Sequence, residues 1–174
     1  KVIPMQEILD RAVHIKLVVF DVDGVLTDGS LYLGDDGQEY KAFNSKDGLG
    51  MKMLQATGVD IGIITARQSD VVRIRMESLG IRHVYQGRQE KLPAFEELKQ
   101  KLRLGDEQIA YVGDDVVDLP IMRRVGLAIT VQDAHRLVTE HAHWQTRARG
   151  GRAAAREVCE LLMEAQEIGR ASCR

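Results

Sequence analysis

Cysteine is scarce in this chain of 174 residues: Cys159 and Cys173 are the two present, and both lie near the C-terminal end. Neither can staple a fold there, so a reducing, cytoplasmic setting is expected. A basic surplus is missing too. Lys and Arg number 24 against 26 Asp and Glu, a formal charge of −2, so no general attraction to nucleic acid or to an anionic membrane follows. The single tryptophan, Trp144, makes no stacking platform for bases. Long apolar runs are absent as well, since "LVVF" and "IGII" fall far short of the roughly 20 residues that span a bilayer. The opening "KVIPMQEILDRA" has acidic residues and no apolar stretch of the kind that marks a signal peptide. Repeats and low-complexity tracts are not found. What remains, 44% hydrophobic and 29% charged, suits one globular domain, expected over residues 1–168. The closing "GRASCR", 169–174, is expected to be a frayed tail or a non-native remnant.

Apolar runs of strand length recur: Leu17 to Phe20, Val59 to Ile64, His83 to Tyr85, Ile109 to Val112 and Leu127 to Val131. Helical periods lie between and after them. Val72, Met76 and Leu79 mark one, Leu92, Phe95 and Leu102 another, and Ala154, Val158, Leu161, Leu162 and Ala165 a last one that also carries Cys159 on its apolar side. Continuous apolar strands alternating with amphipathic helices specify a doubly wound α/β fold with a parallel sheet covered on both faces. One segment breaks the pattern. "SLYLGDDGQEYKAF", Ser30 to Phe43, reads as a β-hairpin inserted after the first strand, beside the strand ends where such sheets bind ligands.

Chemistry-bearing residues fall at the ends of these strands. "FDVDG" puts Asp21 and Asp23 one residue apart at a strand end, with Gly24 permitting a sharp turn. Neighbouring carboxylates repel unless a cation or proton joins them, so a hard cation is the natural third member. "GIITAR" places Thr65 at the next strand end, Lys91 opens the helix of "QEKLPAF", and "YVGDDVVD" supplies Asp114, Asp115 and Asp118. Taken singly, a "DxDG" turn, a strand-ending Thr and a helix-starting Lys have ordinary structural readings. In register, with Asp21, Thr65, Lys91 and Asp114 separated by 44, 26 and 23 residues, they describe one crevice.

These four motifs resemble, over nearly the whole chain, those of the haloacid dehalogenase-like phosphohydrolases. The resemblance implies that Asp21 attacks phosphorus to give an aspartyl-phosphate and that Asp23 serves as general acid and then base. It implies Mg²⁺ held by Asp21, the main-chain carbonyl of Asp23 and Asp114. Thr65 and backbone amides near Gly24 would hold phosphate oxygens, Lys91 would hold phosphate and nucleophile, and Asp115 and Asp118 would orient water and Lys91. Only the hairpin follows Asp28, and Ala66 to Lys91 has room for one helix and one strand, so no cap domain is expected. Walls for the substrate would then come from a neighbouring subunit.

The strings "FDVDGVLTDG", "FNSKDGLGMKML", "IITARQSDVV", "GRQEKL" and "GDDVVDLPIM" are similar to those of the bacterial 3-deoxy-D-manno-octulosonate 8-phosphate phosphatases of lipopolysaccharide synthesis, which are homotetramers. That resemblance implies substrate contacts from Asp23, Asn44, Ser45, Lys46, Asp47, Gly48, Lys52, Arg67, Arg75 and Lys91, some across an interface. Arg67 offers a planar fork suited to a sugar-acid carboxylate. A phosphatase for a nine-carbon keto-deoxy-nonulosonate 9-phosphate and a non-catalytic tetramerisation module of the same fold are the alternatives. "RARGGRAAAR", Arg147 to Arg156, reads as a cationic segment that is either a simple loop or a tail over a neighbour's site. His14, His83, His135, His141 and His143 lack metal-ligand spacing and read as packing or surface residues.

Overall fold

The five apolar runs are strands of one sheet in the computed structural model, which describes residues 3–172. They are β1 (Leu17–Phe20), β4 (Asp60–Ile64), β5 (His83–Tyr85), β6 (Ile109–Gly113) and β7 (Leu127–Thr130), joined at one edge by β8 (Trp144–Gln145). The order is β5-β4-β1-β6-β7-β8, and every pairing is parallel. Two short strands, β2 (Tyr32–Leu33) and β3 (Glu39–Tyr40), form a separate antiparallel hairpin. Strand β8 escapes a reading of apolar runs because it is two residues long.

Around the sheet run α1 (Met5–Ala12), α2 (Ser45–Ala56), α3 (Asp70–Ser78), α4 (Leu92–Leu102), α5 (Leu119–Met122), α6 (Arg136–His141) and α7 (Ala154–Ser172). Side chains alternate across each strand. Val18, Phe20, Ile61, Ile63, Ala110 and Val112 join one core with α1, α2, α3 and α7, whereas Leu17, Val19, Ile109 and Tyr111 join a second with α4, α5 and α6. Strand β1 is buried throughout, which is why its four residues are all apolar. Gly62 in β4 lets α4 press close, since a Cβ there would meet Leu98 Cδ2 at 2.7 Å. Cys159 is buried in the first core, where desolvation pushes its thiol up and makes it inert. Helix α7 continues through the segment set apart after residue 168 as far as Ser172; Cys173 and Arg174 lie outside the described residues. Among those residues no helix is long and apolar enough to cross a membrane.

The hairpin turns through Gly34 to Gly37, with Gly34 N–H donating to the Gln38 carbonyl and Asp36 Oδ1 accepting from Gln38 N–H. It stands out from the sheet and leaves Leu31, Tyr32, Leu33 (68% exposed) and Tyr40 open to solvent. The cationic segment after β8 is pinned rather than loose. Gly150 N–H donates to Asp133 Oδ1, Gly151 N–H donates to the Val25 carbonyl, and Glu157 accepts from the amides of Arg147 and Ala148. From Ala154 onward the segment is the first turn of α7.

Gly150 lies so close to the loop after β1 that a Cβ would run into the Gly24 carbonyl, where backbone meets backbone and no rotamer can give way. Gly150→Ala should therefore cost about 2 kcal/mol, as overpacked positions do, read as a lower denaturant midpoint. An unchanged midpoint would show that the two loops do not abut.

Candidate active site

Strand register assembles the site. Phe20 is level with Ile63 on β4 and with Val112 on β6, so Asp21 leaves the sheet beside Ile64 and Gly113, and Thr65 and Asp114 follow one residue further out. All three stand at the C-terminal edge, where open parallel sheets place ligand sites. The chain then turns at Gly24 (φ 87°), a conformation that side chains resist. The same glycine is needed for space, because a Cβ would strike the Asp114 carboxylate. Thr27 Oγ1 ties the loop by accepting from Gly24 N–H at 3.3 Å and Gly29 N–H at 3.1 Å.

Lys91 sits at the start of α4 with 3% exposure. Its Nζ is 3.0 Å from Asp21 Oδ1 and 2.7 Å from Asp118 Oδ1. Burial alone would drive its pKa down, but the charges of Asp21 and Asp118 outweigh that and raise it, so the ammonium stays charged. Asp118, also buried, follows β6 on a 3-10 turn and is saturated with donors. Its Oδ1 accepts from Lys91 and from the Tyr111 hydroxyl; its Oδ2 accepts from the amides of Asp114 at 3.0 Å and Asp115 at 3.2 Å. Asp115 is exposed, and its carboxylate caps its own turn through Val116 N–H. Of the pair expected to orient Lys91, it is Asp118 that touches it.

Asp21, Asp114 and Asp118 each offer an oxygen within 4.8 Å of the others. One lysine does not balance three carboxylates. Desolvation and then the charge of Asp118 push Asp21 up to about 6, while desolvation and then the charges of Asp21 and Asp118 push Asp114 up to about 9. Such a cluster relaxes when a cation joins it. All its donors are carboxylate oxygens, which fit a hard ion of the Mg²⁺ type. Since both oxygens of Asp118 are already engaged, Asp21 and Asp114 are the free ligands of the set.

The hairpin contributes groups that the spacing of motifs does not reveal. Lys41 Nζ is 2.6 Å from Asp23 Oδ1 and 3.3 Å from Glu39 Oε1. Glu39 also holds Arg67, whose Nη2 and Nε donate to Oε1 at 2.9 and 3.2 Å. Alternation along "EYKAF" was the available signal, because Glu39 and Lys41 share one face and Tyr40 takes the other.

The segment from Asn44 to Gly48 divides. Asn44 caps α2 by accepting from Lys46 N–H, and Asp47 is buried with Oδ1 accepting from Arg156 N–H on α7. Gly48 lies against the Arg75 guanidinium, which is 5.9 Å from the Phe43 ring centroid. Ser45, Lys46 and Lys52 are exposed. In this chain, then, Asp47 and Gly48 pack against α7 and Arg75, and among the described residues neither Lys52 nor Arg75 makes a hydrogen bond or ion pair with the Asp21 cluster. His143 reads as a packing residue here, its Nδ1 accepting from Ala128 N–H.

Residues 77–151 match the family described as haloacid dehalogenase-like hydrolase. The 3-deoxy-D-manno-octulosonate 8-phosphate phosphatase of Yersinia pestis is 47% identical over 161 residues, covering 92% of this chain and 86% of the relative, and that of Escherichia coli K12 is 47% identical over 160 residues, covering 92% and 85%. A crystal structure of the Moraxella catarrhalis phosphatase, in complex with magnesium ion, phosphate ion and 3-deoxy-D-manno-octulosonate, is 39% identical with a TM-score of 0.92 and covers 98% of this chain and 100% of that one. Likeness of this extent in both sequence and backbone, around a carboxylate cluster suited to a hard cation, decides the matter of kinship: the chain belongs to the 3-deoxy-D-manno-octulosonate 8-phosphate phosphatases of the haloacid dehalogenase-like hydrolases.

Proposed function

We propose that this protein is a Mg²⁺-dependent phosphatase that hydrolyses 3-deoxy-D-manno-octulosonate 8-phosphate to the free sugar acid and phosphate, the step its named relatives serve. The observation that carries the reading is the buried ammonium of Lys91 bridging Asp21 and Asp118, with Asp114 alongside. Asp21 is the nucleophile: Lys91 and the Val22 amide both bind its Oδ1, which leaves the other oxygen to attack phosphorus and form the aspartyl-phosphate. Asp23 protonates the departing alkoxide and then takes a proton from the water that cleaves the intermediate. Thr65 and the amides of the loop at Gly24 hold phosphoryl oxygens, and Lys91 offsets their charge. Asp21, the main-chain carbonyl of Asp23 and Asp114 would hold Mg²⁺, which when bound neutralises charge on the phosphoryl group. The relatives named as eight-carbon phosphatases, together with a complete set of motif residues, give no support to the nine-carbon or non-catalytic alternatives.

Arg67 is the fork for the substrate carboxylate. Its side chain is 46% exposed and tethered to Glu39, so a carboxylate can exchange for Glu39 at little desolvation cost. The hairpin supports a homotetramer as the reading of the assembly, since an isolated two-stranded element with four large apolar side chains in solvent is marginal without a partner. Association there would carry the neighbouring Ser45, Lys46 and Lys52 to a subunit boundary, where they could reach another crevice.

Phosphate release from a panel of sugar-acid phosphates and generic phosphomonoesters should favour the eight-carbon ester, and Asp21→Asn should remove turnover by several orders of magnitude with the fold intact. Equal rates across the panel would overturn the substrate assignment, and an active Asp21→Asn protein would overturn the nucleophile.

Metal binding is expected to register in stability. Asp21 and Asp114 titrate above their ordinary 3.8 in the folded chain, so stability without the ion falls as pH rises from about 4 towards about 9. Mg²⁺ at a hundred times its dissociation constant should add about 2.7 kcal/mol, with a larger gain at pH 8 than at pH 6. Asp114→Asn should lose most of that gain; a melting temperature indifferent to Mg²⁺ in the parent protein would refute the site.

Leu33→Asp should yield smaller species in sedimentation and lower activity towards the sugar-acid ester more than towards a small phosphomonoester. A dissociated variant with unaltered selectivity would show that the hairpin does not shape the site.

A further inference from the structure

The hairpin sends one side chain back to the catalytic loop. Lys41, just past β3, has a side chain 1% exposed, and among the described residues its ammonium is met by two carboxylates, Asp23 and Glu39. An ammonium is withdrawn from water at a high cost unless its charge is answered, so this contact has one well-defined geometry. The 2.6 Å bond falls on Oδ1 of Asp23. Among the described residues nothing donates to Oδ2, and that oxygen remains free to carry a proton.

A carboxyl that hands a proton to a departing alkoxide must present one oxygen in a fixed direction. Asp23 is half-buried in the turn between β1 and the hairpin, where no helix fixes its rotamer. We propose that Lys41 is the positioning residue for Asp23: by anchoring Oδ1, it aims Oδ2 at the ester oxygen. This deepens the function proposed above and rests on its assignment of Asp23 as acid and base. As the bond from Asp21 to phosphorus forms and the bond from phosphorus to the ester oxygen breaks, the proton on Oδ2 passes to that oxygen. The alcohol leaves, and Asp23 remains as a carboxylate anchored by Lys41. Lys41 itself touches no reacting atom. Glu39 completes the brace by joining Lys41 to Arg67, so the acid and the proposed carboxylate fork share one charged chain built on the hairpin.

The test compares two generic phosphomonoesters through kcat/KM, which for a covalent route reports steps up to departure of the alcohol. Glycerol phosphate loses a poor leaving group that needs a proton, whereas p-nitrophenyl phosphate loses a phenolate that does not. Lys41→Met should reduce kcat/KM for glycerol phosphate by about 10- to 100-fold, a part of the general acid contribution, and about tenfold less for the aryl ester. Lys41→Arg, which keeps a charged donor, should recover part of the loss on the alkyl ester. Asp23→Asn is the reference and should show the same leaving-group dependence more strongly. If Lys41→Met melts below the assay temperature, Lys41→Gln carries the same comparison. Equal losses on both esters, or a rise in KM alone, would overturn the proposal. If Asp23→Asn discriminates between the esters and the Lys41 variants do not, Lys41 alone is misassigned. If Asp23→Asn does not discriminate either, the role given to Asp23 falls, and this one with it.

Discussion

The ammonium of Lys91 is the contact on which the rest of the site depends. It lies almost out of reach of water and is shared by Asp21 from the end of β1 and Asp118 from the turn after β6. Removing it would leave two buried carboxylates beside Asp114 with no protein cation between them, and an uncompensated buried charge is among the costliest defects a fold can hold. The sheet order puts β1 between β4 and β6, so three strand ends converge where that charge is needed. Tyr111 adds a fixed donor beneath Asp118, and the aspartate has no freedom left to turn away. Position and charge are therefore set by the same few contacts.

The α/β alternation and the four motif residues could be read from the sequence because both are written in short-range patterns. Strand β1 is apolar at each position because both its faces are buried; Asp21 and Thr65 each follow such a run directly, and Asp114 follows one across Gly113. The hairpin was legible from "GDDG" between alternating runs. What stayed hidden depends on contacts between distant segments. Alternation puts Lys41 and Tyr40 on opposite faces, but nothing local tells that Lys41 meets Asp23, or that Asp47 binds the amide of Arg156 more than a hundred residues away. The cationic string from Arg147 reads in sequence as a loop or a tail, and what stays hidden is that its two glycines let backbone approach backbone. Strand β8 is too short to have a pattern.

The two halves of the site differ in how they are secured. The Asp21, Lys91, Asp118 side is braced by the sheet and by α4, deep in the chain's own core. The Asp23, Lys41, Glu39, Arg67 side is held by a hairpin whose outer surface is apolar and exposed. The carboxylate cluster around Lys91 thus rests on buried sheet and helix, and the ion pairs around Lys41 rest on an element with much of its surface in solvent, the kind of element that opens locally most readily.

The seating of Gly150 and Gly151 on the loop from Gly24 to Thr27 has a consequence for how the protein matures on the ribosome. Asp21 is made well before Gly150, but the loop that follows it cannot close until the glycines that abut it have emerged. At about 5–20 residues per second, that interval is on the order of ten seconds. Strand β1 waits as well, since both its neighbours in the sheet are synthesised after it. A nascent chain therefore carries an open loop after β1 until the segment before α7 has emerged.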